Sequence, residues 1–136
     1  MTLGPAADGW VQGDATGLPP FLQPLWTRRE GEAVAFGFEA RPELANARGV
    51  LHGGMLATFM DHTLGLTARI GADPAPMATV QLDLHYVAAA QPGPLIEGRG
   101  EVVRRTASLV FLRGTLSAGG RLLLSASGIW KVLARR

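Results

Sequence analysis

The sequence contains no cysteine. This absence excludes a disulfide framework, a thiolate nucleophile and any metal site built on cysteine ligands. No apolar run approaches the roughly 20 residues that a membrane-spanning helix requires. Residues 1–9 carry no Lys or Arg, so the basic region that opens a secretory signal peptide is missing. The cytoplasm is therefore the expected location.

Charge is also scarce in this chain. Charged residues make up 18% of the 136 positions, hydrophobic residues make up 47%, and the formal net charge is only +2. No block of Lys and Arg with interleaved aromatic residues occurs, so a nucleic-acid partner is not expected. Length and composition indicate a single domain over 1–136. Within it, residues 1–18 are rich in Gly, Ala and Asp and are expected to be loosely ordered.

Residue patterns predict one long helix among several strands. The helix runs from Met55 to Ile70 and is ended by Gly71. Short turns join the later strands and force antiparallel neighbours, so the predicted fold is α+β, with a curved antiparallel β-sheet of about five to six strands wrapped around one central α-helix. The other predicted elements are a brief turn over 19–26, a loop over 41–50, and strands over 33–40, 77–87, 95–104, 108–117 and 121–133.

Residues 77–87 carry the clearest strand pattern of the chain. Apolar and polar side chains alternate there at every position, which is the period of a half-buried strand. Strict alternation predicts that one face holds Val80, Leu82, Leu84 and Tyr86 and that the other holds Thr79, Gln81, Asp83 and His85.

The predicted helix is apolar nearly all round, and Asp61 is its only formal charge between Met55 and Ala68. A helix of this kind is buried on most sides, so we expect Asp61 in a largely dry place. A carboxylate in such a place needs a partner or a proton. Two interpretations stay open: a structural carboxylate paired, for example, with Arg69, or a functional one.

The tripeptide His52-Gly53-Gly54 stands directly before this helix. Two glycines let a ligand approach the backbone, and the first N–H groups of a helix lack internal partners and lie at the positive end of its dipole. This start therefore suits a carbonyl oxygen that gains negative charge, although a flexible turn with a packed histidine is the alternative. Asp61 lies about 11 Å further along the axis, too far for one reacting atom to touch both groups. The spacing favours a site shared between two subunits.

The stretch from Asn46 to Asp61 resembles the signature of the hotdog-fold acyl-CoA thioesterases, and most closely that of their phenylacetate-pathway, PaaI-like branch. The pattern is Asn, two residues, Gly, one or two residues, His-Gly-Gly, and an Asp seven positions after the second Gly. The likeness continues through 79–86 and covers roughly residues 33–133. It implies hydrolysis of acyl-CoA thioesters to free acid and CoA, without a cofactor, by a homodimer or a dimer-of-dimers homotetramer.

The resemblance also implies roles for individual residues. The backbone N–H of Gly53 polarises the thioester carbonyl, Asn46 holds the thioester end, and His52 lies in the same turn. Asp61 of the partner subunit acts as general base or nucleophile, and Thr79 orients the attacking water. Arg104, Arg105 and Thr106 are implied to hold coenzyme A, unless they form an ordinary solvated turn. The residues expected at the substrate are Gly54, Phe59, Leu64 and Met77.

Thioester hydrolysis suits these residues, because a thiol leaves easily and a carboxylate in a dry pocket can accept the proton of water. No Gly-x-Ser-x-Gly elbow is present for a serine nucleophile. No metal is expected, because His52, His62 and His85 lack the spacing of zinc ligands; His62 is expected to be packed or at an interface, and His85 to be exposed or at a subunit contact. Two alternatives stay open, a hotdog-fold enoyl-CoA hydratase or dehydratase and a non-catalytic acyl-CoA-binding protein.

Overall fold

The computed structural model describes residues 4–134 and confirms an α+β fold with one long helix against a curved antiparallel sheet. Within the described residues the sheet has seven strands, more than the five to six predicted, in the spatial order β1-β2-β3-β5-β6-β7-β4. No helix of these residues is long and apolar enough to cross a membrane. The elements are β1 (Val11–Gln12), β2 (Leu25–Glu30), β3 (Ala33–Phe38), α1 (Gly53–Arg69), β4 (Met77–Tyr86), β5 (Ile96–Arg105), β6 (Leu109–Ala118) and β7 (Arg121–Val132).

The additional strands lie in the N-terminal region. Behind the short 3-10 turn Pro20–Leu22, β2 pairs with β3 along its whole length, where the sequence predicted only a brief turn. Residues 4–18 also differ from the expected loose order, because β1 pairs with β2 and the side chains of Trp10 and Leu18 are buried. Burial of these two large apolar side chains outweighs the high glycine content nearby. Residues 1–3 lie outside the described part of the chain.

The helix α1 packs unusually close to the sheet over a patch of glycines on β5 and β6. A Cβ atom added at Gly100 or Gly114 would lie only 2.9 or 2.8 Å from the Leu64 side chain, and one added at Gly98 would collide with Thr63. The helix buries one face of side chains into this contact, which forms the core. Those buried residues of α1 are Leu56, Phe59, Met60, Thr63, Leu64, Gly65 and Ala68. The close packing fixes the axial position of α1 relative to the strands.

A β-bulge in β4 breaks the strict alternation that the sequence predicted. Thr79 pairs with Trp130 and Gln81 pairs with Ile129, so Val80 is the extra residue between two registered pairs. Trp130 is buried on the helix side of the sheet, and Thr79 therefore faces α1. The prediction that Thr79 shares a face with Gln81, Asp83 and His85 is wrong, and Val80 is exposed instead of packed with Leu82 and Leu84. An inserted residue reverses the facing of every residue on one side of it.

Candidate active site

The loop before α1 is held rigidly by backbone hydrogen bonds. The N–H of Asn46 donates to the carbonyl of Val50 at 2.8 Å, and the N–H of His52 donates to the carbonyl of Leu44 at 3.0 Å. The N–H of Leu51 reaches the segment after β4 and donates to the carbonyl of Ala90 at 2.9 Å. The first two bonds close the loop, and the third ties it to the segment after β4.

Asn46 lies at the neck of this loop and uses its side-chain oxygen to close it. Its Oδ1 accepts hydrogen bonds from the N–H groups of Arg48, at 2.9 Å, and Val50, at 3.4 Å. This assignment of the amide leaves the Nδ2 group without a hydrogen-bond partner among residues 4–134. Asn46 therefore presents donors beside the helix start, which suits a residue that contacts a carbonyl oxygen.

The first two N–H groups of α1 are free to bind a ligand. The N–H groups of Met55 and Leu56 donate to the carbonyl of His52 at 3.0 and 3.3 Å. Those of Gly53 and Gly54 precede them, make no such bond within the described residues, and belong to exposed glycines. His52 is the N-cap residue, but its exposed side chain makes no capping hydrogen bond. The helix start thus offers two backbone donors in a region of positive partial charge.

Asp61 lies in the middle of α1, and its side chain is bonded to Thr79 on β4. The Thr79 hydroxyl donates to Asp61 Oδ1 at 2.7 Å. Asp61 is only partly buried, so the largely dry place predicted for it is not present in the described chain. The reason is that β4 is the last strand of the sheet, which leaves this side of α1 open. Arg69 does not pair with Asp61 but donates to the carbonyl of Gly65.

The candidate site therefore has two halves, both anchored to β4. The donor half consists of Gly53, Gly54 and Asn46, and the base half consists of Asp61 and Thr79. Eight helical positions separate Gly53 from Asp61, which is about 12 Å along the axis. A further residue, Tyr86, contacts the donor half: its hydroxyl donates to the carbonyl of Gly53 at 2.6 Å. Its inward position on the strand was predicted, but no role was assigned to it.

The residues expected at the substrate lie in different environments. Phe59 and Leu64 are fully buried in the core, where Phe59 stacks on Phe38 with ring centroids 4.4 Å apart. Met77 is partly buried at the start of β4, and Gly54 is exposed, with no heavy atom within 4 Å of an added Cβ. In a single subunit, Phe59 and Leu64 contact the core and not an open pocket. Their place beside an acyl group stays a prediction.

The three residues expected at coenzyme A also differ from one another. Arg105 donates to the carbonyl of Ala68 at 2.8 Å and so satisfies a carbonyl at the C-terminal end of α1. The Thr106 hydroxyl bonds to the backbone of Leu109 and closes the bend after β5. The exposed Arg104 side chain makes no hydrogen bond or ion pair within residues 4–134. Of the three, Arg104 is the one whose charge is available to a phosphate.

The histidines occupy three separate places. His52 is exposed at the helix start, and His85 is exposed on the outer face of β4. His62 packs edge-on against Phe38, and burial lowers its pKa despite the nearby charge of Asp61. Its buried Nε2 atom has no hydrogen-bond partner within the described residues. Residues 4–134 contain no cluster of three or more His, Asp or Glu side chains arranged to hold a metal ion.

A groove on the surface of the sheet lies away from both halves of the site. It has a volume of about 790 Å³ and crosses the outer face of the sheet, on the side opposite α1. Its side chains are mostly polar, and ion pairs such as Arg113–Glu101 lie along it. The residues that line it include Asp83, His85, Arg99, Glu101, Arg113 and Thr115. The volume of a groove is therefore no guide to the position of the candidate active site.

Comparisons with known proteins agree with this fold. The family model of the thioesterase superfamily matches residues 48–125. A protein of Pseudomonas aeruginosa, named as a candidate esterase, is 35% identical over 115 residues, which are 83% of this chain and 86% of that protein. The helix on a curved antiparallel sheet defines the hotdog class of folds. The chain belongs to the thioesterase superfamily within that class.

Solved structures share the fold over most of the chain. A candidate thioesterase of Ralstonia eutropha, described as related to phenylacetic acid degradation, has a TM-score of 0.69 and 26% identity and covers 96% of this chain and 92% of its own. The BH2602 protein of Bacillus halodurans, solved with CoA, has a TM-score of 0.75 and 22% identity, with coverages of 81% and 74%. These likenesses confirm the predicted fold and the resemblance to the PaaI-like branch.

Proposed function

We propose that this protein hydrolyses acyl-CoA thioesters at a site shared between two subunits. The donor half of one subunit binds the thioester carbonyl, and Asp61 of the partner subunit supplies the base or nucleophile. The observation that carries the proposal is the division of the site along α1. Two free backbone donors lie at its start, and a carboxylate held by Thr79 lies about 12 Å away.

The arrangement accounts for each step of hydrolysis. Asp61 Oδ1 accepts the Thr79 hydroxyl, which leaves Oδ2 to take a proton from water. The water oxygen then bonds to the carbonyl carbon, and the resulting oxyanion accepts a hydrogen bond from the free N–H of Gly53. Collapse breaks the C–S bond and releases CoA as a thiolate, which takes up the proton. Direct attack by Asp61 would instead form a mixed anhydride that water opens, with the same products.

The free edge of β4 supports the shared site. Within residues 4–134, β4 pairs only with β7, and the strand exposes Val80 and Tyr86 at 58% and 52% of their surface. An exposed strand edge with apolar side chains is a ready partner for a second copy. Tyr86 contacts the donor half, and Thr79 belongs to the base half. If two copies of β4 pair antiparallel about a two-fold axis near Asp83, Tyr86 of one subunit lies opposite Thr79 of the other. The donor half of one subunit then lies beside the base half of the other.

The relatives support the choice of substrate class. The Bacillus halodurans structure contains CoA, and the Ralstonia eutropha protein is related to phenylacetic acid degradation. On this basis the acyl groups to test first are phenylacetyl and other short aryl-acyl groups. Exposed Arg104 is the proposed contact for a phosphate of CoA, because a guanidinium binds phosphate oxygens as a fork.

The direct test is thiol release from a panel of phenylacetyl-, benzoyl-, acetyl-, hexanoyl- and decanoyl-CoA. We expect release with at least one of them. Loss of the enoyl absorbance of crotonyl-CoA without thiol release would identify a hydratase instead. Tight binding of an acyl-CoA without any turnover would identify a binding protein.

Mixing two inactive variants tests whether the site is shared. Asp61→Asn keeps its donor half, and Gly53→Pro keeps its base half. Co-expressed chains form mixed dimers in which one site combines the two intact halves, so about a quarter of wild-type activity should return in a random mixture. No recovery, despite mixed dimers shown by mass spectrometry, would place both halves of each site in one chain.

A further inference from the structure

The chain contains a single tyrosine, Tyr86, and it lies at the end of β4 against the start of α1. Its hydroxyl donates to the carbonyl of Gly53 at 2.6 Å. Its ring also packs on Gly53, because a Cβ atom added there would lie 3.4 Å from three atoms of the phenol. Tyr86 thus contacts the first residue of the helix with both its ring and its hydroxyl.

Backbone hydrogen bonds hold the loop up to His52, but within residues 4–134 no side chain from outside α1 except Tyr86 bonds to the two glycines that begin it. Gly53 and Gly54 have no side chains to anchor them, and the N-cap residue His52 makes no side-chain capping bond. Glycine leaves the backbone more freedom than any other residue, so an uncapped glycine pair at a helix start would fray. The hydroxyl and ring of Tyr86 restrict that freedom at Gly53, whose N–H is the proposed oxyanion donor.

The hydrogen bond also changes the strength of a donor. The carbonyl of Gly53 and the N–H of Gly54 belong to the same peptide group. A hydrogen bond accepted by the carbonyl polarises that group and makes its N–H a better donor, an effect estimated at roughly 10–30% per bond. Tyr86 therefore acts on the N–H of Gly53 by position and on the N–H of Gly54 by both position and polarisation.

We infer that Tyr86 is a positioning residue for the oxyanion donors of the thioesterase site. Its phenol holds the Gly53–Gly54 peptide in the orientation that stabilises the tetrahedral intermediate. The inference rests on the proposed function, since it assumes that these N–H groups meet a thioester carbonyl. Tyr86 is half exposed in the single chain, so removal of its hydroxyl alone opens no cavity in the core.

The matched variants are Tyr86→Phe and Thr58→Val. Tyr86→Phe keeps the ring and removes only the hydroxyl. Thr58→Val likewise removes one hydroxyl bond, which Thr58 donates to the carbonyl of Gly54 at 3.0 Å. The N–H on that peptide belongs to Met55 and is already bonded to His52. The control therefore loses a similar bond at the same helix start without touching a free donor.

We expect Tyr86→Phe to lower kcat about 10-fold with little change in KM, because the effect grows as charge develops on the oxygen. Thr58→Val should keep kcat within about 2-fold, since it touches no free donor. Both variants should keep wild-type circular dichroism and similar melting temperatures. A Tyr86→Phe kcat equal to that of wild type would overturn the inference. Equal losses in the two variants would also do so, because they would point to general loosening of the helix start.

A spectroscopic readout separates this inference from the proposed activity. In an Asp61→Asn background, phenylacetyl-CoA labelled with carbon-13 at the carbonyl should bind without reacting. Its infrared carbonyl band should shift to lower frequency on binding, and adding Tyr86→Phe should reduce the shift. An unchanged band in Tyr86→Phe contradicts the role of Tyr86 even if the wild type proves to be a binder. Absence of hydrolysis by wild type contradicts the proposed function alone.

Discussion

The two halves of the candidate site are built from different kinds of atoms. The donor half at the start of α1 consists mainly of backbone N–H groups on a loop closed by Asn46. The base half in the middle of α1 consists of two side chains, the Asp61 carboxylate and the Thr79 hydroxyl. The donor half depends on the conformation of the backbone, and the base half depends on the identity of the residues at positions 61 and 79.

This difference sets how each half responds to mutation. A side-chain half is destroyed by conservative substitutions that leave the fold intact. A backbone half tolerates changes of side chain and fails only when an N–H is removed or moved. Three substitutions, each with a matched control, test the contrast.

The largest effect is expected from Asp61→Asn. Asparagine has the shape of aspartate and still accepts the Thr79 hydroxyl, but it cannot take a proton from water. The rate of thioester hydrolysis should fall about 10³-fold, within the range that general bases contribute. Asp73→Asn, at an exposed position in the segment between α1 and β4, should leave the rate unchanged. Thiol release with phenylacetyl-CoA measures both, and an active Asp61→Asn enzyme would remove Asp61 from the mechanism.

A smaller loss is expected from Gly53→Pro, which deletes the proposed donor itself. Proline is tolerated at the first position of a helix, and the His52 ψ of 137° is one that a residue before proline prefers. We expect kcat to fall about 10²-fold, the usual cost of one oxyanion donor. Gly53→Ala is the control, since it adds a Cβ near Tyr86 but keeps the N–H. If the alanine and proline variants lose activity equally, crowding is responsible and the N–H is not.

The smallest effect is expected from Thr79→Val, which keeps the branched shape and removes the hydroxyl bond to Asp61. Hydrogen bonds to charged groups contribute about 1.5–3 kcal/mol, and an approximately 10-fold fall in kcat, at the lower end of that range, is expected because this bond is exposed. Thr79→Ser should restore most of the rate, because it returns the hydroxyl. Equal kcat values for the valine and serine variants would show that Thr79 does not orient the base.

Local sequence patterns predicted most of the secondary structure. The apolar run of α1, the glycines around it and the strands after it were predicted within a few residues, because periodicity and turn residues act locally. The strand β2 was missed because the segment before it is rich in proline, which indicates a turn. Its polar residues Thr27, Arg28 and Arg29 also interrupt the apolar alternation that marks a strand. Its strand character depends on pairing with β3, a tertiary contact.

The candidate site was predicted in part. Sequence patterns singled out Gly53 and Asp61, and the family resemblance alone gave Asn46 and Thr79 their proposed roles. Those patterns also placed Thr79 on the outer face of β4, where a hydroxyl could not reach Asp61. Tyr86 was assigned no role, since a tyrosine on the inner face of a strand normally indicates packing. The hydrogen bond from the Tyr86 hydroxyl to Gly53 joins residues far apart in the sequence, so only the tertiary structure shows it.

The sequence by itself determined the class of protein, the position of the helix in the chain and the distance between the two halves, because motifs, helical rise and residue spacing need no partner. The sequence had predicted a helix buried on most sides, but the helix buries one face. The tertiary structure decided which side chains meet. The bulge at Val80 turned Thr79 toward Asp61, and the end of β4 brought Tyr86 to Gly53. A one-residue insertion in a strand reverses its faces, and only pairing with β7 determines where that insertion falls.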